Sequence, residues 1–148
     1  MLNLETFELI NYSWIAIAVI TFLVLVIFKI KTPYGRHSNN RWGVMIPNKW
    51  GWFIMELPAF LIMPIVSLYG PSEKGALTYL LICLWVLHYF NRTFIFPFKL
   101  KTKDKEMPLL IAGSAILFNS VNGFLNGYYL GYLNTEISSV ISLNVMIG

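Results

Sequence analysis

Four stretches of this chain are apolar over lengths close to the ~20 helical residues that cross a ~30 Å hydrocarbon core. They run from Ser13 to Phe28, Trp50 to Tyr69, Ala76 to Phe98 and Pro108 to Leu133. Soluble packing of the same segments would need polar surface that the chain does not own. Only 12% of its residues are charged, against about 25% in an ordinary soluble domain. The fold class expected is all-α: a polytopic transmembrane helix bundle of four complete spans. A further apolar run, Ile137 to Gly148, has about half the length of a span and is expected to be the start of a fifth.

Charge predicts how these spans are threaded. Lys29, Lys31, Arg36, Arg41 and Lys49 fall in the first connection, and Lys99, Lys101, Lys103 and Lys105 in the third, so nine of the eleven basic residues occupy alternate loops. The positive-inside rule makes those loops cytoplasmic and leaves the N-terminus outside or lumenal. The net charge of +4 is then a topology signal, and no nucleic-acid partner is expected. The first twelve residues hold Glu5 and Glu8 and no basic residue, so the first span is expected to be retained rather than cleaved as a signal peptide. Cys83 is the single cysteine, which excludes a disulfide within the chain and leaves too few ligands for a zinc site.

Two strings break the apolar pattern. WFIMELPAF places Glu56 in the second span, and LHYFNRTFIFPF places His88, Tyr89 and Arg92 in the third. An ionisable group at such depth is costly and usually faces a bundle interior, a binding site or a pathway. With a rise of ~1.5 Å per residue, Glu56 and Arg92 each lie roughly 9 Å from the basic side, Tyr89 roughly 13 Å, Asn119 roughly 16 Å and Asn122 roughly 21 Å. These groups are expected to line one pocket that opens to the cytoplasm.

Helical spacing groups them further. Trp52, Glu56 and Phe60 recur every four residues, and Trp85, His88, Tyr89 and Arg92 share a face. On the fourth span Asn119, Asn122 and Asn126 run beside Gly123, Gly127 and Gly131, spaced as GxxxGxxxG. Small residues at this spacing let helices approach closely, and asparagines hydrogen-bond across such contacts. Packing and ligand contact both fit Asn119 and Asn126, whereas Asn122 is read as a contact residue. Arg92 has two plain alternatives, snorkelling to headgroups or pairing with Glu56. Trp42, Trp50, Tyr128 and Tyr132 read as interfacial belt residues. Pro58 and Pro64 are expected to kink or loosen the second helix.

Taken in order, TPYGRH, WFIMELPAF, LHYFNRTFIFPF and NGFLNGYYLGY resemble the steroid 5-alpha-reductase family, the 3-oxo-5-alpha-steroid 4-dehydrogenases, from Thr32 to Tyr132. The resemblance implies a seven-helix membrane enzyme that uses NADPH to saturate the carbon-carbon double bond of a 3-oxo-4-ene steroid or similar lipid enone. Residues 1–148 would form one membrane domain, the N-terminal part of that enzyme. Glu56 and Tyr89 match the catalytic pair that polarises the substrate carbonyl. Trp52, Met55, His88, Arg92 and Asn122 match the substrate side, and Tyr34 and Arg36 a loop near the cofactor. Met55 stands where the animal steroid enzymes carry glutamine, and Asn91 where a second histidine is common.

The same resemblance places the main cofactor-binding residues in a C-terminal half, so the 148 residues alone are expected to be inactive. The partners implied are a steroid or lipid enone and membrane lipids, with no metal. The membrane would be the inner membrane of a bacterium or the endoplasmic reticulum of a eukaryote. A trans-2-enoyl-CoA or polyprenol reductase, and a non-catalytic membrane fragment or assembly partner, are the alternatives. No GxGxxG follows a strand, so a nucleotide would have to bind between helices and loops.

Overall fold

The computed structural model describes residues 2–30, 42–102 and 104–133. The chain divides into two compact units, Met1–Thr32 and Pro33–Gly148. Among the described residues, four helices are long and apolar enough to cross a membrane, as expected. The apolar run from Ile137 lies outside the described residues.

The first unit is one helix, α1 (Leu4–Ile27). It starts well before Ser13 because Asn3 caps it: the Asn3 side chain accepts a 2.8 Å hydrogen bond from the Thr6 amide. This satisfies one of the amides that the first turn leaves free, and Glu5 sits where the helix dipole favours an acid. Lys29, at φ 50°, turns the backbone out of the helix, while the Phe28 and Ile30 amides close on the carbonyls of Val24 and Leu25.

The second unit holds the other three spans and a short two-stranded ladder. Strand β1 (Met45–Pro47) leads into α2 (Asn48–Tyr69), and strand β2 (Glu106–Pro108) leads into α4 (Leu109–Leu133). Between them α3 (Ala76–Lys99) returns. The strands pair antiparallel, with Met45 opposite Pro108 and Pro47 opposite Glu106. Because each strand immediately precedes a span, α2 and α4 begin side by side, with Lys49 and Lys105 at the same end of the unit.

Polar groups tighten this clasp. Asn48, fully buried, donates from Nδ2 to the carbonyl and hydroxyl oxygens of Thr102 at 2.9 and 3.0 Å. Its amide bonds the Lys105 carbonyl at 2.7 Å, and the Leu109 amide bonds the Val44 carbonyl at 2.8 Å. These bonds occupy first-turn amides of α2 and α4, neither of which has a side-chain cap. Three-residue strands give no alternating pattern, which is why the sequence offers no sign of them.

The core lies between α2 and α4. Ala59, Met63 and Ser67 of α2 are buried at the seam, and the glycines of α4 face them. A Cβ on Gly127 would stand 2.8 Å from the Met63 carbonyl oxygen and 2.9 Å from Val66 Cβ. One on Gly131 would stand 2.7 Å from the Val66 carbonyl oxygen. In hydrocarbon, where apolar surface gains little by leaving lipid, this closeness is the attraction: van der Waals contact of backbones. The Ser67 hydroxyl donates to the Gly127 carbonyl at 3.4 Å, and the Ser72 amide to the Gly131 carbonyl at 2.9 Å. At the far end Lys74 donates to the carbonyls of Gly70 and Ser72 at 2.6 and 2.7 Å.

Helix α2 stays continuous through Pro58 and Pro64. Tyr128, expected in an interfacial belt, is instead buried and stacks on Tyr132 with ring centroids 4.5 Å apart. Helix α3 is regular over Ala76–Phe90, takes a wide π turn over Asn91–Ile95 and resumes over Phe96–Lys99. Pro97 accounts for the position of that turn, because it offers no amide and its ring crowds the carbonyl four residues back. The Phe96 amide instead reaches five residues back, to Asn91.

The seam makes the glycines unequal. Gly127→Val is expected to destabilise the bundle by about 1–3 kcal/mol through overpacking, read as earlier thermal unfolding in detergent. Gly113, where a Cβ would meet nothing within 4 Å, is expected to accept alanine with no loss.

Candidate functional site

The site forms where α3 crosses the face of α2 defined by Trp52, Glu56 and Phe60. All three look toward the C-terminal half of α3. Trp52 packs edge-on against Phe96 at 5.0 Å, Glu56 pairs with Arg92, and Phe60 packs against Phe90 and Phe94 at 6.3 and 5.3 Å. The four-residue spacing therefore marks the face of α2 that meets α3.

Glu56 is 3% exposed. One carboxylate oxygen, Oε1, receives a hydrogen bond from Arg92 Nη2. The other, Oε2, is approached by Asn119 Nδ2 at 3.5 Å. Asn119 is itself buried and donates to the Met55 carbonyl at 2.5 Å. Three helices thus meet at one carboxylate, with α2 supplying it, α3 a cation and α4 an amide.

Aromatic rings hold the cation in turn. The Arg92 guanidinium lies 4.9 Å from the Trp52 ring centroid and 5.4 Å from that of Phe96. Such contacts gain strength where water is excluded, and a planar guanidinium satisfies ring faces and a carboxylate at once. Of the two plain readings for Arg92, the structure takes the ion pair. Removing one partner of a buried pair leaves the other uncompensated, which costs more than the pair itself contributes.

Tyr89 borders this arrangement from the next turn of α3. Its hydroxyl lies within electrostatic reach of Glu56 and Arg92, with the Asn122 side chain beside it. Asn122 accepts at Oδ1 from Asn126 Nδ2 at 3.1 Å, so the polar row continues along α4. His88 touches the Tyr89 ring edge-on at 5.1 Å but is exposed. Met55 is buried, and the polar contact it offers is its backbone carbonyl. Tyr34 and Arg36 lie outside the described residues. Among the described residues no group of three histidine, cysteine or acidic side chains could hold a metal.

Two side chains outside the catalytic and substrate set that the resemblance implies belong to the site by contact. Asn119 reaches Glu56, and Trp85 packs on Tyr89 with ring centroids 4.8 Å apart. The asparagine repeat signalled Asn119 without separating it from its neighbours. Trp85 shares the face of Tyr89, but its indole partner is the Ala59 carbonyl, 2.8 Å away, and backbone acceptors leave no mark in a sequence.

Similar proteins give this arrangement its context. Over 118 residues the chain is 33% identical to 3-oxo-5-alpha-steroid 4-dehydrogenase 2 of Macaca fascicularis, covering 74% of this chain and 43% of that protein. The chain belongs to the steroid 5-alpha-reductase family. It is also 33% identical over 102 residues to 3-oxo-5-alpha-steroid 4-dehydrogenase 1 of Homo sapiens, covering 67% of the chain and 39% of the relative. The steroid 5-alpha-reductase DET2 of Gossypium hirsutum matches at 29% over 113 residues, 74% of the chain and 44% of the relative. The chain spans half or less of the length of these curated relatives. No family model matches it.

Arg92→Gln is expected to destabilise the bundle by about 3–5 kcal/mol, because it strands the Glu56 carboxylate. Arg92→Lys should restore only part of this, since an ammonium cannot copy the ring contacts. The double change Glu56→Gln with Arg92→Gln should lie closer to the wild type than Arg92→Gln alone, which detergent unfolding curves of the three variants would check.

Proposed function

We propose that this chain is the N-terminal, substrate-side part of a longer seven-helix membrane reductase that saturates the carbon-carbon double bond of a 3-oxo-4-ene steroid or similar lipid enone. The observation that carries this reading is the Glu56 and Arg92 ion pair inside the bundle, with Tyr89 beside it on α3. Family membership supports the reaction class.

Reduction of an enone places a hydride on the β carbon, drives electron density onto the ketone oxygen and is completed when the α carbon takes a proton, ultimately from water. NADPH, in this reading, supplies the hydride. Tyr34 and Arg36 are the residues put forward near its phosphates, but they lie outside the described residues, and no step is routed through them.

The chain's own residues act at the oxygen. Tyr89 donates its O–H to the ketone, with Asn122 of α4 beside the phenol. As negative charge develops, that hydrogen bond strengthens, and stabilisation that grows toward the transition state raises turnover rather than binding. Glu56 has both oxygens engaged by Arg92 and Asn119, so its part is to fix the guanidinium near the reacting oxygen. Positive charge there, in a low-dielectric setting, favours the enolate-like oxygen. Trp52, Met55 and His88 are proposed to border the flat body of the substrate. Trp52 already presents one face to Arg92, which leaves its remaining surface for the ligand.

The clasp between the two lysine-rich connections supports placing both on one side of the membrane. That side is proposed to be the cytoplasm, with the N-terminus opposite, because nine basic residues lie in those connections.

NADPH consumption tests the reading in membranes carrying this chain, and in parallel a reading frame extended past Gly148, with 3-oxo-4-ene steroids and 2-enoyl thioesters as substrates. Steroid-dependent turnover in the extended form is expected. In that form Tyr89→Phe should lower kcat by about 100-fold, as loss of an oxyanion donor does, with a much smaller change in KM. Equal loss of binding and turnover would remove Tyr89 from this role, and absence of turnover with any enone would sink the reductase reading.

A further inference from the structure

We infer that Trp85 is a positioning residue for Tyr89, tying the phenol of α3 to the backbone of the helix that carries Glu56. The inference rests on the reading of Tyr89 as the donor to a ketone, and it concerns what keeps that hydroxyl in place.

Trp85 precedes Tyr89 by four residues, so the two side chains lie one above the other on α3. Helical side chains lean toward the N-terminus, which lays the Tyr89 ring over the turn that holds Trp85. The rings meet at 4.8 Å with an interplanar angle of 35°, within the range of attractive offset contact. The same indole donates from Nε1 to the Ala59 carbonyl oxygen at 2.8 Å. Ala59 is fully buried and sits three residues after Glu56 on α2.

One side chain therefore touches the proposed donor and is anchored to the helix bearing its electrostatic partner. In hydrocarbon an indole N–H has no water to turn to, so the bond to Ala59 fixes the ring orientation. That ring closes one side of the half-buried phenol. His88 touches the same ring edge-on and is exposed. Without the anchored indole the Tyr89 ring loses this contact, and displacement of a reacting group by an ångström is enough to slow a reaction.

A purely structural part for Trp85, joining α2 to α3, makes a different forecast. It would lower stability without specific effect on the Tyr89 ring or on kcat. The test labels the chain in detergent with 3-fluorotyrosine and assigns the Tyr89 fluorine resonance by its absence in Tyr89→Phe. Trp85→Phe, which keeps a ring but removes the N–H, is expected to shift and broaden that resonance while the Tyr79 resonance stays in place. Trp85→Leu should displace it further, and if that variant fails to insert, Trp85→Phe still decides.

In the catalytically competent protein, Trp85→Phe is expected to lower kcat by about tenfold or more through misplacement, with KM within about twofold. It should add nothing in a Tyr89→Phe background, as for residues acting through one another. An unchanged Tyr89 resonance, a wild-type kcat or additive losses would overturn the inference. If the unmodified protein reduces no enone, the reductase reading fails separately, and the fluorine resonance alone decides whether Trp85 positions Tyr89.

Discussion

Glu56 is a carboxylate almost completely buried in a helix long and apolar enough to cross a membrane, and much of the second unit is arranged around that fact. An isolated charge there would cost several kcal/mol on any scale. The compensation comes from three directions at once: a guanidinium from α3, an amide from α4 and the rings that hold the guanidinium. Each supporting group sits on a different helix from the carboxylate or is held by one that does. Removing the acid would therefore loosen contacts among all three helices.

The glycine seam between α2 and α4 makes that meeting possible. Asn119 can reach Met55 and Glu56 with its short side chain because the backbones approach closely one turn farther along, at Gly123 and beyond. The clasp at the start of both helices sets their relative height, since β1 and β2 pair in one register directly before the first turns. Packing in lipid, register and the site are linked in this way. A bulkier residue at Gly127 would act on the site as well as on the seam.

The π turn of α3 belongs to the same arrangement. Arg92 lies within it, between Tyr89 on the regular part of the helix and Pro97 after it. Wide turns of this kind often accompany functional groups, and here the turn lies where a cation must leave α3 to meet α2. The ~1.5 Å rise per helical residue sets Arg92 level with Glu56, and the two pair. The same rise sets Asn119 deeper, and the reach of its side chain brings it to the same carboxylate.

Composition and spacing alone determined that the chain crosses a membrane, where its spans lie, which face of α2 meets α3 and which glycines carry close contact, because hydrophobic length and helical periodicity are local properties of a chain. The order of four short strings was enough to point to the family. Tertiary structure decided that Arg92 pairs rather than snorkels, that Tyr128 is buried, that Asn119 joins Glu56 and that Trp85 is bound to Ala59. It also decided the clasp, formed by two three-residue strands about sixty positions apart. These outcomes depend on which side chain meets which backbone atom of another helix, and a carbonyl acceptor is the same at every position of a sequence.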